Sequence, residues 1–248
     1  MLERFRAFWT SVWAPVGNLL IRLGVSPNTV TFVGTLGVVL GAVIFFPRGD
    51  LLAGVVVITV FVFSDMIDGY MARKTGTVSP FGAFLDSTLD RIGDAAIFGG
   101  LAMYYVGPGD NHWFAALAIY CLSMGSVTSY ARARAESLGM QAKVGIAERA
   151  DRLVSILVIT GLADLLNIAG VGRGVLWAIP VTLAALAVAS TVTVVQRVLA
   201  VRVQALALAG PGPRPGPGQG PGQGRGQGPG QGPRQEPGQP SGAPPAAP

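Results

Sequence analysis

The chain has one cysteine and one histidine in 248 residues, and only 12% of its residues are charged. A single cysteine, Cys121, excludes an intrachain disulfide, and its position in an apolar run points to packing. His112 stands beside Trp113 in a polar stretch, and one histidine without histidine or cysteine partners makes no zinc site. So little charge, with 50% hydrophobic residues and a positive mean hydropathy, excludes an ordinary soluble domain. A signal peptide is also excluded, because residues 1–23 lack a short apolar core followed by a small-residue cleavage site. There Glu3, Arg4 and Arg6 interleave with Phe5, Phe8, Trp9, Trp13 and Val16, a pattern that predicts an amphipathic helix in the membrane interface.

What is present is a series of long apolar runs, at about 29–46, 51–72, 82–106, 113–133, 152–170 and 175–199. At about 1.5 Å of rise per residue each approaches the roughly 30 Å hydrocarbon core of a bilayer. The expected fold is therefore an all-α integral membrane protein: an interfacial helix over 1–23 and six transmembrane helices within 24–205. Glycine and proline mark the breaks, as at Pro47-Arg48-Gly49-Asp50 and Gly107-Pro108-Gly109-Asp110. With the N-terminus inside, all of the 18 Lys and Arg except Arg48 and Arg173 fall on one side, which predicts that both termini face the cytoplasm of a multi-pass protein in the cell membrane. The net charge of +5 follows from this topology, and no nucleic-acid partner is needed to explain it. The segment 206–248 becomes Gly, Pro and Gln repeats from Gly210 onward, which bury too little apolar surface to offset chain entropy, and is expected to be a disordered cytoplasmic tail.

Ionisable residues are costly in a transmembrane segment, yet the second and third runs carry Asp65, Asp68, Asp86, Asp90 and Asp94 near their cytoplasmic ends. Spacings of three and four place Asp65 with Asp68, and Asp86 with Asp90, each pair on one helix face. Carboxylates about 4 Å apart repel by roughly 4 kcal/mol at an effective dielectric of about 20, so protons or cations must sit among them. With no His or Cys nearby, the donors suit a hard divalent ion, Mg²⁺ or Mn²⁺, rather than zinc. Two such ions would neutralise four carboxylates, and a two-metal site holds the attacking and leaving oxygens of a phosphoryl displacement. Gly69, Ala72 and Gly82 keep the backbone approachable, and Arg73 offers a cationic fork to a diphosphate. Asp94 has two readings: a further ligand one turn deeper, or a partner of Arg91.

Written out, residues 65–90 read DMIDGYMARKTGTVSPFGAFLDSTLD. This resembles the CDP-alcohol phosphotransferase signature of two Asp, Gly, Ala, Arg, Gly and two further Asp, and the likeness extends over about 1–205. By that resemblance Asp65, Asp68, Asp86 and Asp90 hold two metal ions, and Asp90 is also the catalytic general base on the incoming hydroxyl. CDP-diacylglycerol would lie along Gly69, Ala72, Arg73 and Gly82, with Ser79 and the segment Asn28, Thr29, Val30 and Thr31 closing over the nucleotide. The family often forms homodimers through its membrane helices.

The acceptor is read from the stretch SYARARAESLGMQAKVGIAERADRL, which is rich in arginine. Together with FLDSTLDR around Asp90 it resembles a branch of the family, the actinobacterial phosphatidylinositol phosphate synthases, whose acceptor is inositol 1-phosphate. The likeness makes Arg134 and Arg152 the first expected phosphate ligands, with Arg132 and Arg197 next. The branch that uses glycerol 3-phosphate usually reads LDP-x-ADK at the second aspartate pair, and this chain departs from it at Ser87, Leu89 and Arg91. Glycerol 3-phosphate is the alternative acceptor. A metal-ion or proton transporter is the alternative outside enzymology; the one-sided placement of the carboxylates, the lack of a broken helix and the lack of a second acidic set beyond Asp164 argue against it.

Overall fold

A Ser-Pro pair opens two of the long helices. The Ser26 hydroxyl accepts from the Thr29 amide at 3.2 Å, and Ser79 accepts from the Gly82 amide at 3.0 Å. Each satisfies an amide that a first helical turn leaves without a partner, and the proline that follows has no amide to satisfy. In the computed structural model the described residues are 13–209, without the side chains of Asp65 and Ala209. The expectations for residues 1–12 and 210–248 lie outside them.

In chain order the elements are α1 (residues 13–22), α2 (Pro27–Phe45), α3 (Leu51–Val62), α4 (Ser64–Thr75), α5 (Pro80–Val106), α6 (His112–Ser137), α7 (Arg149–Ile168) and α8 (Ala178–Ala209). Short 3-10 turns, Phe46–Arg48 and Arg173–Trp177, follow α2 and precede α8. No β-strand occurs among the described residues. Asn111 caps α6 by accepting from the amides of Trp113 and Phe114 at 3.1 Å. A reciprocal capping box between Glu148 and Asp151 starts α7. The start of α3 is completed from a distance: the Leu52 amide donates to Asp164 Oδ2 of α7 at 2.9 Å.

Every apolar run read from the sequence is helical, but the second is two helices rather than one. The interruption is at Phe63, whose amide reaches the Thr59 carbonyl at 3.4 Å while the Met66 amide bonds the Phe63 carbonyl at 3.1 Å, a locally tightened turn. The expectation of no broken helix therefore fails here. The interruption falls where these helices pack on α2: Ser64 and Phe61 lie so close on Gly34 and Gly37 that a Cβ on either glycine would overlap them. Helix α8 also runs beyond the expected boundary at 205, to Ala209.

The core joins Val38, Ala42 and Phe46 to Val55 and Ile58 of α3, Ile97 and Leu101 of α5, Ala118 and Cys121 of α6, Ile156 of α7, and Ile179 and Leu183 of α8. Cys121 is buried and donates to the Leu183 carbonyl at 3.2 Å, the packing role expected of it. Large apolar side chains also face outward, among them Phe32, Leu36, Leu40, Val56, Val60, Val154, Val158, Val181 and Val188. Surfaces of this kind are suited to lipid rather than water. In lipid, helices associate through close packing more than through the hydrophobic effect, which gives weight to the bare glycines of α2. Among the described residues, four helical stretches are long and apolar enough to cross a bilayer: Pro27–Arg48, Leu51–Thr75, His112–Ser137 and Arg173–Leu208. Helices α5 and α7 have 27 and 20 residues but carry charge, including Asp86, Asp90, Arg91 and Asp94 on α5 and Arg149, Asp151, Arg152 and Asp164 on α7.

Helix α2 packs against α3, α4 and α5, while α5 also packs against α6 and α3 against α7. The helices that carry the aspartate motif, α4 and α5, thus share α2 as a common support. On α4, Tyr70 donates to Asn18 of α1 at 3.0 Å, and Lys74 donates to the same oxygen.

Candidate active site

Helix α5 borders two cavities. The first, of about 610 Å³, is lined by Ser26, Pro27, Asn28 and Thr31 at the start of α2, by Asp68, Gly69, Ala72 and Arg73 of α4, and by Ser79, Gly82, Ala83 and Asp86 at the start of α5, with Thr77 and Val78 between. Asp68 is buried, and Thr31 donates to its Oδ2 at 2.6 Å. Arg73 lies back over Gly69, its Nη1 3.3 Å from where a Cβ would stand. Asp68 lies within the electrostatic reach of both Asp86 and Asp90. Asp86 is exposed to the cavity and has no hydrogen bond or ion pair among the described residues.

The second cavity, of about 740 Å³, is basic. Its wall contains Arg91 of α5, Arg132 of α6, Arg149 and Arg152 of α7 and Arg197 of α8, against two acidic residues, Glu136 and Glu148. Arg152 is only 2% exposed and occupies the space that Gly125 leaves, its Nη2 3.2 Å from a Cβ placed there. It donates to the Ala147 carbonyl at 3.2 Å. Arg197 is buried too and donates to the carbonyls of Val144 at 2.9 Å and Thr128 at 2.6 Å. These arginines are thus fixed by neutral carbonyls, which hold a guanidinium in place without cancelling its charge. Arg132 instead pairs with Glu136 at 3.0 Å, one turn along the same helix.

Asp90 stands between the two cavities. At roughly 100° per residue, Asp90 shares the face of α5 that carries Gly82, Asp86 and Ala83, next to the face of Ser87 and Arg91; it lies within electrostatic reach of Asp68 of the first cavity and is ion-paired with Arg149 of the second. It borders a small space of about 40 Å³ together with Gly34, Gly93 and Arg149. Arg149 Nη1 is 2.9 Å from Asp90 Oδ1, and Arg149 Nε is 3.0 Å from Asp94 Oδ1. Arg91 approaches both carboxylates, at 3.9 Å and 3.8 Å, and donates to Ser129 of α6. Asp94 is thereby paired with Arg91, one of its two sequence readings, and with Arg149 as well.

Among the residues expected along CDP-diacylglycerol, Asn28, Thr31, Gly69, Ala72, Arg73, Ser79 and Gly82 line the first cavity. Thr29 and Val30 do not. The Thr29 hydroxyl is bonded to Ser26 at 2.8 Å, and Val30 is packed with Ile67 and Met71. Of the expected phosphate ligands, Arg132, Arg152 and Arg197 line the second cavity, but Arg134 is not in its wall and is exposed. Residues two apart on a helix point about 200° apart, so Arg132 and Arg134 cannot serve the same space. Arg149, a cation of the arginine-rich stretch but not among the expected phosphate ligands, also lines the second cavity. Its signal in the sequence is weak, a cation three residues before Arg152 at the start of a helix. Asp68 and Asp86 share the first cavity, whereas Asp65's side chain lies outside the described residues. Among those residues no three His, Cys, Asp or Glu gather closely enough to form a metal group.

The CDP-alcohol phosphatidyltransferase family model matches residues 24–195. A phosphatidylinositol phosphate synthase from Streptomyces avermitilis is 52% identical over 82% of this chain and 83% of its own length. One from Cutibacterium acnes is 50% identical over 82% of this chain and 98% of its own. The crystal structure of Mycobacterium tuberculosis phosphatidylinositol phosphate synthase with CDP-DAG bound is 40% identical, with a TM-score of 0.70 over 75% of this chain and 92% of that one. The same enzyme in complex with manganese and citrate is 39% identical, with a TM-score of 0.71 over 76% of this chain and 88% of that one. With its aspartate motif carried on α4 and α5 and the family model matched over most of its length, this chain is a transferase of the CDP-alcohol phosphatidyltransferase family.

Proposed function

We propose that the chain transfers the phosphatidyl group of CDP-diacylglycerol to inositol 1-phosphate, giving phosphatidylinositol phosphate and CMP. The observation that carries this reading is the juxtaposition at Asp90 of a carboxylate-bearing cavity and an arginine-rich one. The first takes the CDP headgroup along Gly69, Ala72, Arg73, Ser79 and Gly82. The second takes a phosphorylated polyol through Arg152, Arg197 and Arg132, since guanidinium forks match phosphate oxygens.

The donors of the first cavity fit a divalent cation. They are all oxygen, and Asp86 faces the cavity with no hydrogen bond or ion pair among the described residues. Asp65, Asp68, Asp86 and Asp90 would hold Mg²⁺ or Mn²⁺, two ions per site by charge balance. When bound, such ions supply charge neutralisation for the diphosphate and the departing oxygen. Asp90 takes the proton of the acceptor hydroxyl, whose oxygen then forms a bond to the lipid-bearing phosphorus. The bond from that phosphorus to the bridging oxygen breaks, and CMP leaves with that oxygen. Thr31 keeps Asp68 oriented throughout, and the arginines of the second cavity keep the acceptor from drifting from the phosphorus.

The same reading makes α5 and α7 membrane spans, six in all, their charges turned toward the cavities and the protein interior. It places both termini and the site on the cytoplasmic side of the plasma membrane, residues 1–23 in the interface, the catalytic unit over 24–205, the tail over 206–248, and two copies of the chain in a homodimer. The outward apolar side chains and the asymmetry of Lys and Arg support this arrangement.

The deciding experiment measures CMP release by purified protein with CDP-diacylglycerol and Mg²⁺, comparing inositol 1-phosphate, free inositol and glycerol 3-phosphate. Turnover with inositol 1-phosphate alone is the expected result. Turnover with glycerol 3-phosphate alone would overturn the acceptor, and silence with all three would overturn the reaction.

A further inference from the structure

Arg149 stands where a cation is locally unfavourable, at the first position of α7, where the helix dipole repels positive charge. A residue that breaks a local rule usually answers to something across the fold. Here the guanidinium crosses to α5 and engages two carboxylates one turn apart, Nη1 on Asp90 Oδ1 at 2.9 Å and Nε on Asp94 Oδ1 at 3.0 Å. Its Nη2 also reaches the Asp90 carbonyl at 3.5 Å. Asp94 is 6% exposed, and its other oxygen is 3.8 Å from Arg91, which is itself tied to Ser129 of α6. Arg149 borders both the basic cavity and the small space beside Asp90.

We propose that Arg149 is a positioning residue that locks the carboxylate of Asp90 at the edge of the acceptor cavity, with buried Asp94 as its anchor. The inference rests on the proposed role of Asp90. Two nitrogens on two carboxylates fix the guanidinium plane as well as its position, so Asp90 is held in direction and not merely neutralised. A lysine supplies the charge without the fork. Displacement of a reacting group by about 1 Å costs rate on the order of 100-fold, so loosening this lock acts on turnover. Asp94 thus belongs to the machinery through Arg149.

The test compares Arg149→Gln, Arg149→Lys, Asp94→Asn and the Arg149→Gln/Asp94→Asn double variant with the wild type, using whichever acceptor the wild type turns over. Arg149→Gln is expected to lower kcat about 100-fold with the acceptor KM within about 3-fold, and Arg149→Lys to recover less than about a tenth of the lost rate. Asp94→Asn should lower kcat about 10-fold, and the double variant should be no worse than Arg149→Gln, the mark of two residues acting as one unit. Thermal stabilisation by CDP-diacylglycerol, whose cavity Arg149 does not border, serves as the check on folding. An unchanged kcat with a raised KM, full rescue by lysine, additive losses in the double variant, or loss of CDP-diacylglycerol stabilisation in Arg149→Gln would overturn the proposal. Wild-type turnover with glycerol 3-phosphate alone would instead count against the acceptor reading and leave the Arg149 comparison intact.

Discussion

Thr31 and Asp68 are 37 residues apart in the chain and meet in a buried 2.6 Å hydrogen bond. The bond ties the second turn of α2 to the middle of α4. The Thr31 hydroxyl is also 3.1 Å from the Pro27 carbonyl, so the side chain sits between backbone and carboxylate. A residue expected to touch the nucleotide is therefore also the one that orients a proposed metal ligand.

Replacing Thr31 by valine keeps the shape and removes the bond. Such partners of a ligand typically carry about 10–100-fold in metal affinity or activity. Titrating CMP release with Mn²⁺ should show the half-maximal concentration rising by about 10-fold or more. An unchanged titration would mean that Asp68 needs no help from α2.

Asp90→Asn removes the proposed base while preserving size. General-base catalysis is worth about 10²–10⁴-fold, and turnover should fall at least that far. Thermal stabilisation by CDP-diacylglycerol should persist in part, because Asp90 is not in the wall of that cavity and the other three proposed ligands remain. Turnover within a few-fold of wild type would remove Asp90 from the chemistry.

Arg152 and Arg134 form a contrasting pair: one is buried in the basic cavity, the other exposed outside it. A charged hydrogen bond contributes about 1.5–3 kcal/mol, or roughly 10–100-fold in affinity. The acceptor KM should rise by about that factor in Arg152→Gln and stay within about 3-fold in Arg134→Gln. Equal effects in steady-state kinetics would contradict the cavity assignment.

Asp164 is the buried carboxylate of α7 that satisfies the Leu52 amide at the start of α3. Asp164→Ala leaves that amide without its partner, at a cost of about 1–2 kcal/mol. The apparent Tm should drop by several degrees while CMP release at low temperature stays near wild type. A loss of turnover without a loss of stability would give Asp164 a part in transport or catalysis that its present contacts do not.

Hydrophobic length and the spacing of the aspartates make the helices and one side of the site legible in the sequence. Local punctuation is readable as well, since Ser26-Pro27 and Ser79-Pro80 open α2 and α5 as caps should. The interruption at Phe63 is not marked by glycine or proline in its own run; it coincides with the close approach of Ser64 and Phe61 to glycines on another helix. The pairing of Arg149 is hidden because its partners on α5 are 55 or more residues away. Resemblance to a family branch favours Arg134 over Arg149, whereas helical angle decides which of two nearby arginines enters a cavity. Thr29 and Val30 adjoin Asn28 and Thr31 in sequence, and a helix turns such a segment so that only part of it faces one way.

The partition of the site by α5 has a stereochemical consequence. With the donor and acceptor in the cavities proposed for them, on adjoining faces of one helix, both substrates reside together and the acceptor need not wait for CMP to depart. Initial-rate plots should intersect in the manner of a ternary complex rather than run parallel. With the entering and leaving oxygens approaching from different rooms, the phosphorus should turn inside out once, and a chirally labelled donor should yield product of inverted configuration.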